Sequence, residues 1–222
     1  MRSWSPRGVV AGMLVVLTGT ACSSATGRVL DPQIAPADGL PPAAALRLRQ
    51  LGYTAADVHF MSGMIPHHAQ AVVMAGWAAT HGARSDVRIL CERIVVGQAD
   101  EIVTMQNWLR DRGQKVPDAQ ATHLTMTMNG VEHDMLMPGM LTDEELAQLD
   151  RARGAEFDRL FLTFMIRHHE GALSMVDELF ASAGAAQDDV VFKFASDVYA
   201  DQSTEIDRMQ TMLDVNSTGG SR

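Results

Sequence analysis

Two pairs of adjacent histidines are the residues of this sequence best suited to chemistry: His67 and His68 in "MIPHHAQAVVMA", and His168 and His169 in "MIRHHEGALSMV". Each pair follows a methionine, Met64 or Met165, by three and four residues, and precedes another, Met74 or Met175. Side chains three and four residues apart share one face of a helix, so each thioether can sit beside its imidazoles. Imidazole suits copper, zinc and iron, while thioether sulfur is a soft donor that favours Cu(I). The set points to a bound metal ion, copper first, with zinc or iron as alternatives. Taken singly, a methionine on a helical stripe also serves as core filler. Two neighbouring polar rings are poor core material unless something satisfies them.

A second cluster lies in "HLTMTMNGVEHDMLMPGM", which holds His123, Met126, Met128, His133, Met135, Met137 and Met140. It reads either as a flexible copper-collecting loop or as a segment folded over the protein with methionines as adaptable filler. Methionine suits an oxidising compartment, where free cysteine is lost to disulfide chemistry.

The elements that must position these groups are helical. Thr54 with Asp57 makes a capping box, and His81-Gly82 a stop, which predicts a helix over 55–81 with Pro66 kinking it. Ser85 is expected to cap a second helix ending at "RDRG". Thr142 and Glu145 open a short helix that breaks at Gly154, followed by helices over about 155–183 and 188–215. No segment reads as a strand, because strict alternation is missing.

The sequence repeats itself. Asp57, Phe60, Met64, Ile65, His67, His68, Ala71 and Met74 recur at constant offset as Asp158, Phe161, Met165, Ile166, His168, His169, Ala172 and Met175. "QADEIVTMQ" is echoed by "QSTEIDRMQ", which aligns Gln98 and Glu101 with Gln202 and Glu205. The chain is therefore expected to be all-α, a four-helix bundle built from a duplicated helical hairpin. His67 and His168 fall on the apolar seams, with His68 and His169 about 100 degrees round, at the seam's edge. Gln98 and Gln202 occupy the seams of the partner helices, and Glu101 and Glu205 flank them, placed to orient imidazoles from behind. A buried polar group without a partner costs about 1–3 kcal/mol. Either these groups satisfy one another or an ion does.

Residues 1–21 read as an export signal: Arg2 and Arg7 precede an apolar run, and "LTGTAC" resembles a lipobox ending at Cys22. Diacylation of Cys22 would anchor the exported chain to the outer face of a bacterial membrane. Gly19 stands where such boxes usually carry Leu, so secretion with nearby cleavage is the alternative. Residues 22–42 form a Pro/Gly/Ser/Ala-rich linker, 43–215 the bundle domain with the Met/His-rich loop at 118–141, and 216–222 a disordered tail. Loss of residues 1–21 removes two arginines and no acid, so the formal charge moves from −9 to −11. Such a chain repels nucleic acid. Cys91, left alone after Cys22, excludes a disulfide framework and reads as a small buried hydrophobe. No Glu-x-x-His, His-Glu-x-x-His or Gly-x-Ser-x-Gly occurs, so the reading is a binding protein and not an enzyme. A metal-dependent oxidase is the enzymatic alternative. A structural or interaction lipoprotein, whose polar residues fix helix register, is the other.

From Asp57 to Met212 the chain resembles the exported family catalogued as domain of unknown function 305. The resemblance rests on "DVHFMSGMIPHHAQAVVMA", "QADEIVTM", "MPGMLTDEEL", "FDRLFLTFMIRHHEGALSM" and "QSTEIDRM". It implies a ferritin-like bundle and, for some members, periplasmic binding of Cu(I) and Cu(II) in metal tolerance.

Overall fold

Two antiparallel helical hairpins face each other, and their first helices carry the histidine pairs. The computed structural model describes residues 43, 46, 47, 51–128 and 131–219. The expected signal, Cys22, the linker and the last residues of the tail lie outside the described residues. Helix α1 (Ala55–Gly76) and helix α2 (Ser85–Asp111) form the first hairpin. Strands β1 (Leu124–Met128) and β2 (Val131–Met135) and helix α3 (Asp143–Arg151) link it to the second, made of α4 (Ala155–Ala181) and α5 (Asp189–Gly219). Among the described residues no helix is long and apolar enough to cross a membrane.

Helix starts follow the local chemistry. Thr54–Asp57 and Thr142–Glu145 both form complete capping boxes. Ser85 is not a cap, contrary to expectation: Arg84 holds that position, and Asp86 accepts the Val87 amide at 2.9 Å. The Arg84 amide is instead satisfied from the other hairpin, by the Asp158 carboxylate at 3.3 Å. Asp57 does the matching work, accepting the Ala186 amide at 2.7 Å. The repeated aspartates thus tie each hairpin's first helix to the other's turn.

The first helix stops at Gly76 and passes into a 3-10 turn, Trp77–Ala79, earlier than the predicted 81. The cause is tertiary. His81 is buried, its Nε2 donates to the Asp150 carbonyl at 2.8 Å, and its ring stacks on Trp77. It is a pin between α1 and the end of α3, buried instead of lying at an exposed helix end. Pro66 lies inside α1, which runs through it unbroken. Helix α4 ends two residues early, at Ala181, and α5 extends to Gly219.

The antiparallel hairpin at 124–135 was not expected. Leu124 pairs with Met135 and Met126 with His133. The alternation that signals a strand was present in "LTMTM", though shorter than the helical patterns around it.

The core is divided. One apolar cluster includes Phe60, Met64, Met105, Met175 and Phe194; the other includes Met74, Leu90, Cys91, Phe161, Met165 and Met209. Between them, every long helix contributes a buried polar residue: His67 and His68, Gln98, His168 and His169, Gln202. The interior is a polar layer between two apolar halves.

The turn Met137–Leu141 closes over this layer. Gln70 accepts the Leu141 amide at 2.7 Å and donates to its carbonyl at 3.0 Å. Gly139 meets Gly171 of α4 backbone to backbone, and a Cβ on Gly171 would stand 2.0 Å from the Pro138 carbonyl oxygen. Gly171→Ala is expected to destabilise the fold by about 1–3 kcal/mol, the usual effect of forcing extra atoms into a packed interior. A lowered urea midpoint at unchanged m-value is the measurement.

Candidate metal centre

Adjacent residues on a helix diverge by about 100 degrees, and each pair splits accordingly. His67 and His168 point across the bundle toward each other, with ring centroids 3.8 Å apart. His68 turns toward its own hairpin, where its Nε2 meets Glu101 Oε2 of α2 at 2.7 Å. His169 repeats this with Glu205 Oε2 of α5 at 2.8 Å. All four imidazoles are 0% exposed, including His68 and His169, for which an edge position was expected. The glutamates make that burial possible by reaching in from the rim.

These partners fix where protons sit. A carbonyl can only accept, so His67 Nε2, 3.0 Å from the Pro138 oxygen, carries the hydrogen. Donation to Glu101 and Glu205 places the hydrogens of His68 and His169 on Nε2 as well. The Nδ1 atoms of these three rings lie inside the protein, and none of them has a partner. His168 has a partner at neither nitrogen. Among the described residues, nine buried side-chain nitrogens and oxygens lack a hydrogen bond, and eight belong to the four histidines with Gln98 and Gln202. Arg167 Nε is the ninth. Eight of the nine unsatisfied atoms thus gather in one layer, where σ lone pairs of nitrogen are the commonest free acceptors.

Burial keeps the two central rings, His67 and His168, neutral. His67 is driven down to about 3, first by burial and then by His68. Burial, followed by His67, likewise drives His168 well below the usual imidazole range. The neighbouring His67 carbonyl opposes that shift without reaching hydrogen-bonding geometry. At the rim, burial and then Glu101 and Glu205 hold the Asp201 carboxyl above its ordinary value.

Of the sulfurs named from sequence, Met64 and Met165 are fully buried, one on each side of the layer. Met74 and Met175 lie seven residues beyond His67 and His168, about 10 Å along the helix axes, in opposite apolar clusters. Among the described residues of the expected loop cluster, some are buried and others exposed. Met137 and Met140 are buried, with the Met140 sulfur accepting the Met137 amide at 3.2 Å. His133 and Met135 are exposed, and His123 lies 3.7 Å from Asp143. The side chains of Met126 and Met128 lie outside the described residues. Sequence reasoning missed Gln70 and the Pro138 carbonyl, because both act through a backbone contact made seventy-one residues away.

Among the described residues no three His, Cys, Asp or Glu side chains already converge as a ligand set. The donors are present and unsatisfied, and the chemistry of the set, borderline nitrogen with soft sulfur in the flanking clusters, fits copper.

A family model for a domain of unknown function, DUF305, matches residues 57–213. A solved DUF305 protein from Streptomyces coelicolor is 28% identical, with a TM-score of 0.61, over 73% of this chain and 94% of its own. A DUF305 fragment from Deinococcus radiodurans is 26% identical, with a TM-score of 0.59, over 73% and 97%. CopM in its Cu(I)-bound form is 26% identical, with a TM-score of 0.54, over 71% and 95%; Cu(II)-bound and Ag-bound forms match similarly. No curated protein matches the chain.

The depressed imidazoles give stability a sign in pH. Above about pH 6.5 the rings are neutral in both folded and unfolded chains, and stability is full. Below it the unfolded chain binds protons that the folded core refuses, so each ring is expected to remove about 1.4 kcal/mol per pH unit. For His67 the loss ends as pH passes through about 3. Urea unfolding of metal-free protein between about pH 7 and 5 reads the slope, and His67→Gln should reduce it by one ring's share.

Proposed function

We propose that this chain, which belongs to the DUF305 family, is a copper-binding protein that sequesters the ion or hands it on in metal homeostasis. The observation that carries the reading is the concentration of unpartnered, buried nitrogen in the His67/His68/His168/His169 layer. Those Nδ1 atoms and His168 would supply the imidazole ligands, with Met64 and Met165 as sulfur donors. Glu101 and Glu205 would hold His68 and His169 in orientation from behind, raising their basicity as carboxylates do for ligating histidines. CopM, a structural relative solved with Cu(I), Cu(II) and Ag, supports the choice of metal. A purely structural role for the layer would call for mutual hydrogen bonding, which eight unpaired atoms do not provide.

The cargo is an ion and the role is binding, without a catalytic step. The N-terminal pattern, and a Streptomyces coelicolor relative whose description suggests secretion, support an exported protein. Lipidation at Cys22 follows from the lipobox pattern alone.

Competition titration of the domain with Cu(I) and Cu(II) against a chromophoric chelator tests the reading. Wild type should bind, and the His67/His68/His168/His169→Ala variant should not; equal affinity in the two ends the proposal. A folded-state ligand at a hundredfold excess over its Kd should also add about 2.7 kcal/mol of stability, so a melting temperature indifferent to copper would count against it.

A further inference from the structure

Helix α1 places His59, Gly63 and His67 at four-residue steps, on one face and about 12 Å from end to end. Helix α4 does the same with Met175, Gly171 and His168, spaced by four and three. The outer ends of these two faces border a narrow surface pocket lined by His59, Phe60, Met137, Met175 and Glu178. Its volume is about 20 Å³, room for roughly one water-sized particle.

Two thioethers from separate parts of the chain meet there. Above Gly63, a Cβ would stand 2.8 Å from the Met137 methyl carbon, 3.3 Å from its sulfur and 3.5 Å from the Met175 methyl carbon. A side chain at position 63 would require the Met137 methyl to shift. Met137 is also the residue before Pro138, whose carbonyl holds His67 Nε2. The pocket is therefore one residue removed, along the closing turn, from an imidazole of the polar layer. Its chemistry is soft: two sulfurs and one imidazole, with Glu178 supplying negative charge at the exposed mouth. Thioether donors of this kind select Cu(I)-like ions over hard divalent ones.

We infer that the pocket bounded by His59, Met137, Met175 and Glu178 is an outer site for a soft monovalent ion, from which the ion passes over Gly63 to the imidazole layer. The inference rests on the copper reading for its destination, but the outer site is separable from it. Coordination shifts from sulfur to nitrogen with the ion's oxidation state unchanged, so nothing but ligand exchange is required. Met137, taken from sequence as part of a collecting loop, and Met175, taken as a core ligand, become neighbours in one place.

The test uses Ag(I), a probe that stays monovalent, on the chain labelled at its methionine methyls, with imidazole nitrogen shifts reporting the inner layer. Substoichiometric Ag(I) should move the Met137 and Met175 methyl signals, assigned through Met137→Leu and Met175→Leu. The double Leu variant, which keeps the packing volume, should fill the inner layer with Cu(I) from a chelator about tenfold more slowly in stopped flow, equivalent to about 1.4 kcal/mol on the barrier. Its final occupancy should be unchanged. Unmoved methyls together with wild-type loading in the Leu variant overturn the outer site and leave the imidazole reading standing. Moved methyls with silent imidazoles sink the inner layer and keep the outer site. Silence of both sets at saturating Ag(I) overturns both.

Discussion

Every polar atom buried without a partner raises the free energy of the folded state by about 1–3 kcal/mol, and this bundle gathers such atoms at one level. A layer of four imidazoles and two amides crosses all four long helices between two apolar clusters. Its neighbours can be understood as answers to it. Glu101 and Glu205 reach inward to hold His68 and His169, and the Pro138 carbonyl caps His67. What they leave open faces inward. A protein selected only for stability would fill that level with leucine, since apolar replacement of buried polar groups is often neutral or stabilising.

Duplication explains most of the layer, and the single linker between the hairpins explains its asymmetry. The His–Glu pairs agree to 0.1 Å between hairpins, at 2.7 and 2.8 Å. Asp57 and Asp158 perform matching ties across the two halves. The linker occurs only once, however, so only His67 gains a backbone partner, and His168 is left with none. The two rings that meet at the centre are therefore unlike: one proton position is fixed by a carbonyl, the other is free.

Much of this was legible in the sequence, where period and repetition speak for themselves. The helical seam predicted burial of His67, His168, Gln98 and Gln202, and the echo of Glu101 in Glu205 predicted their shared place beside the rings. Capping boxes at Thr54 and Thr142 fixed two helix starts. What was not legible depended on contacts between distant segments. Gln70 looks like an ordinary helix residue until Leu141 lies against it, and His81 looks like a helix terminus until Asp150 and Phe157 arrive. The methionines of the linker shared a composition but not a location: two joined the core, while Met135 stayed outside. Composition reports which atoms are available, and only topology reports which of them meet.

The two carboxylates that touch the layer carry a further consequence, in electrostatics. Glu101 and Glu205 bring two carboxyl groups, one from each hairpin, against a level where burial holds the central His67 and His168 rings uncharged. A cation entering between the hairpins would meet an acidic group from each side, and the low-dielectric surroundings strengthen that attraction.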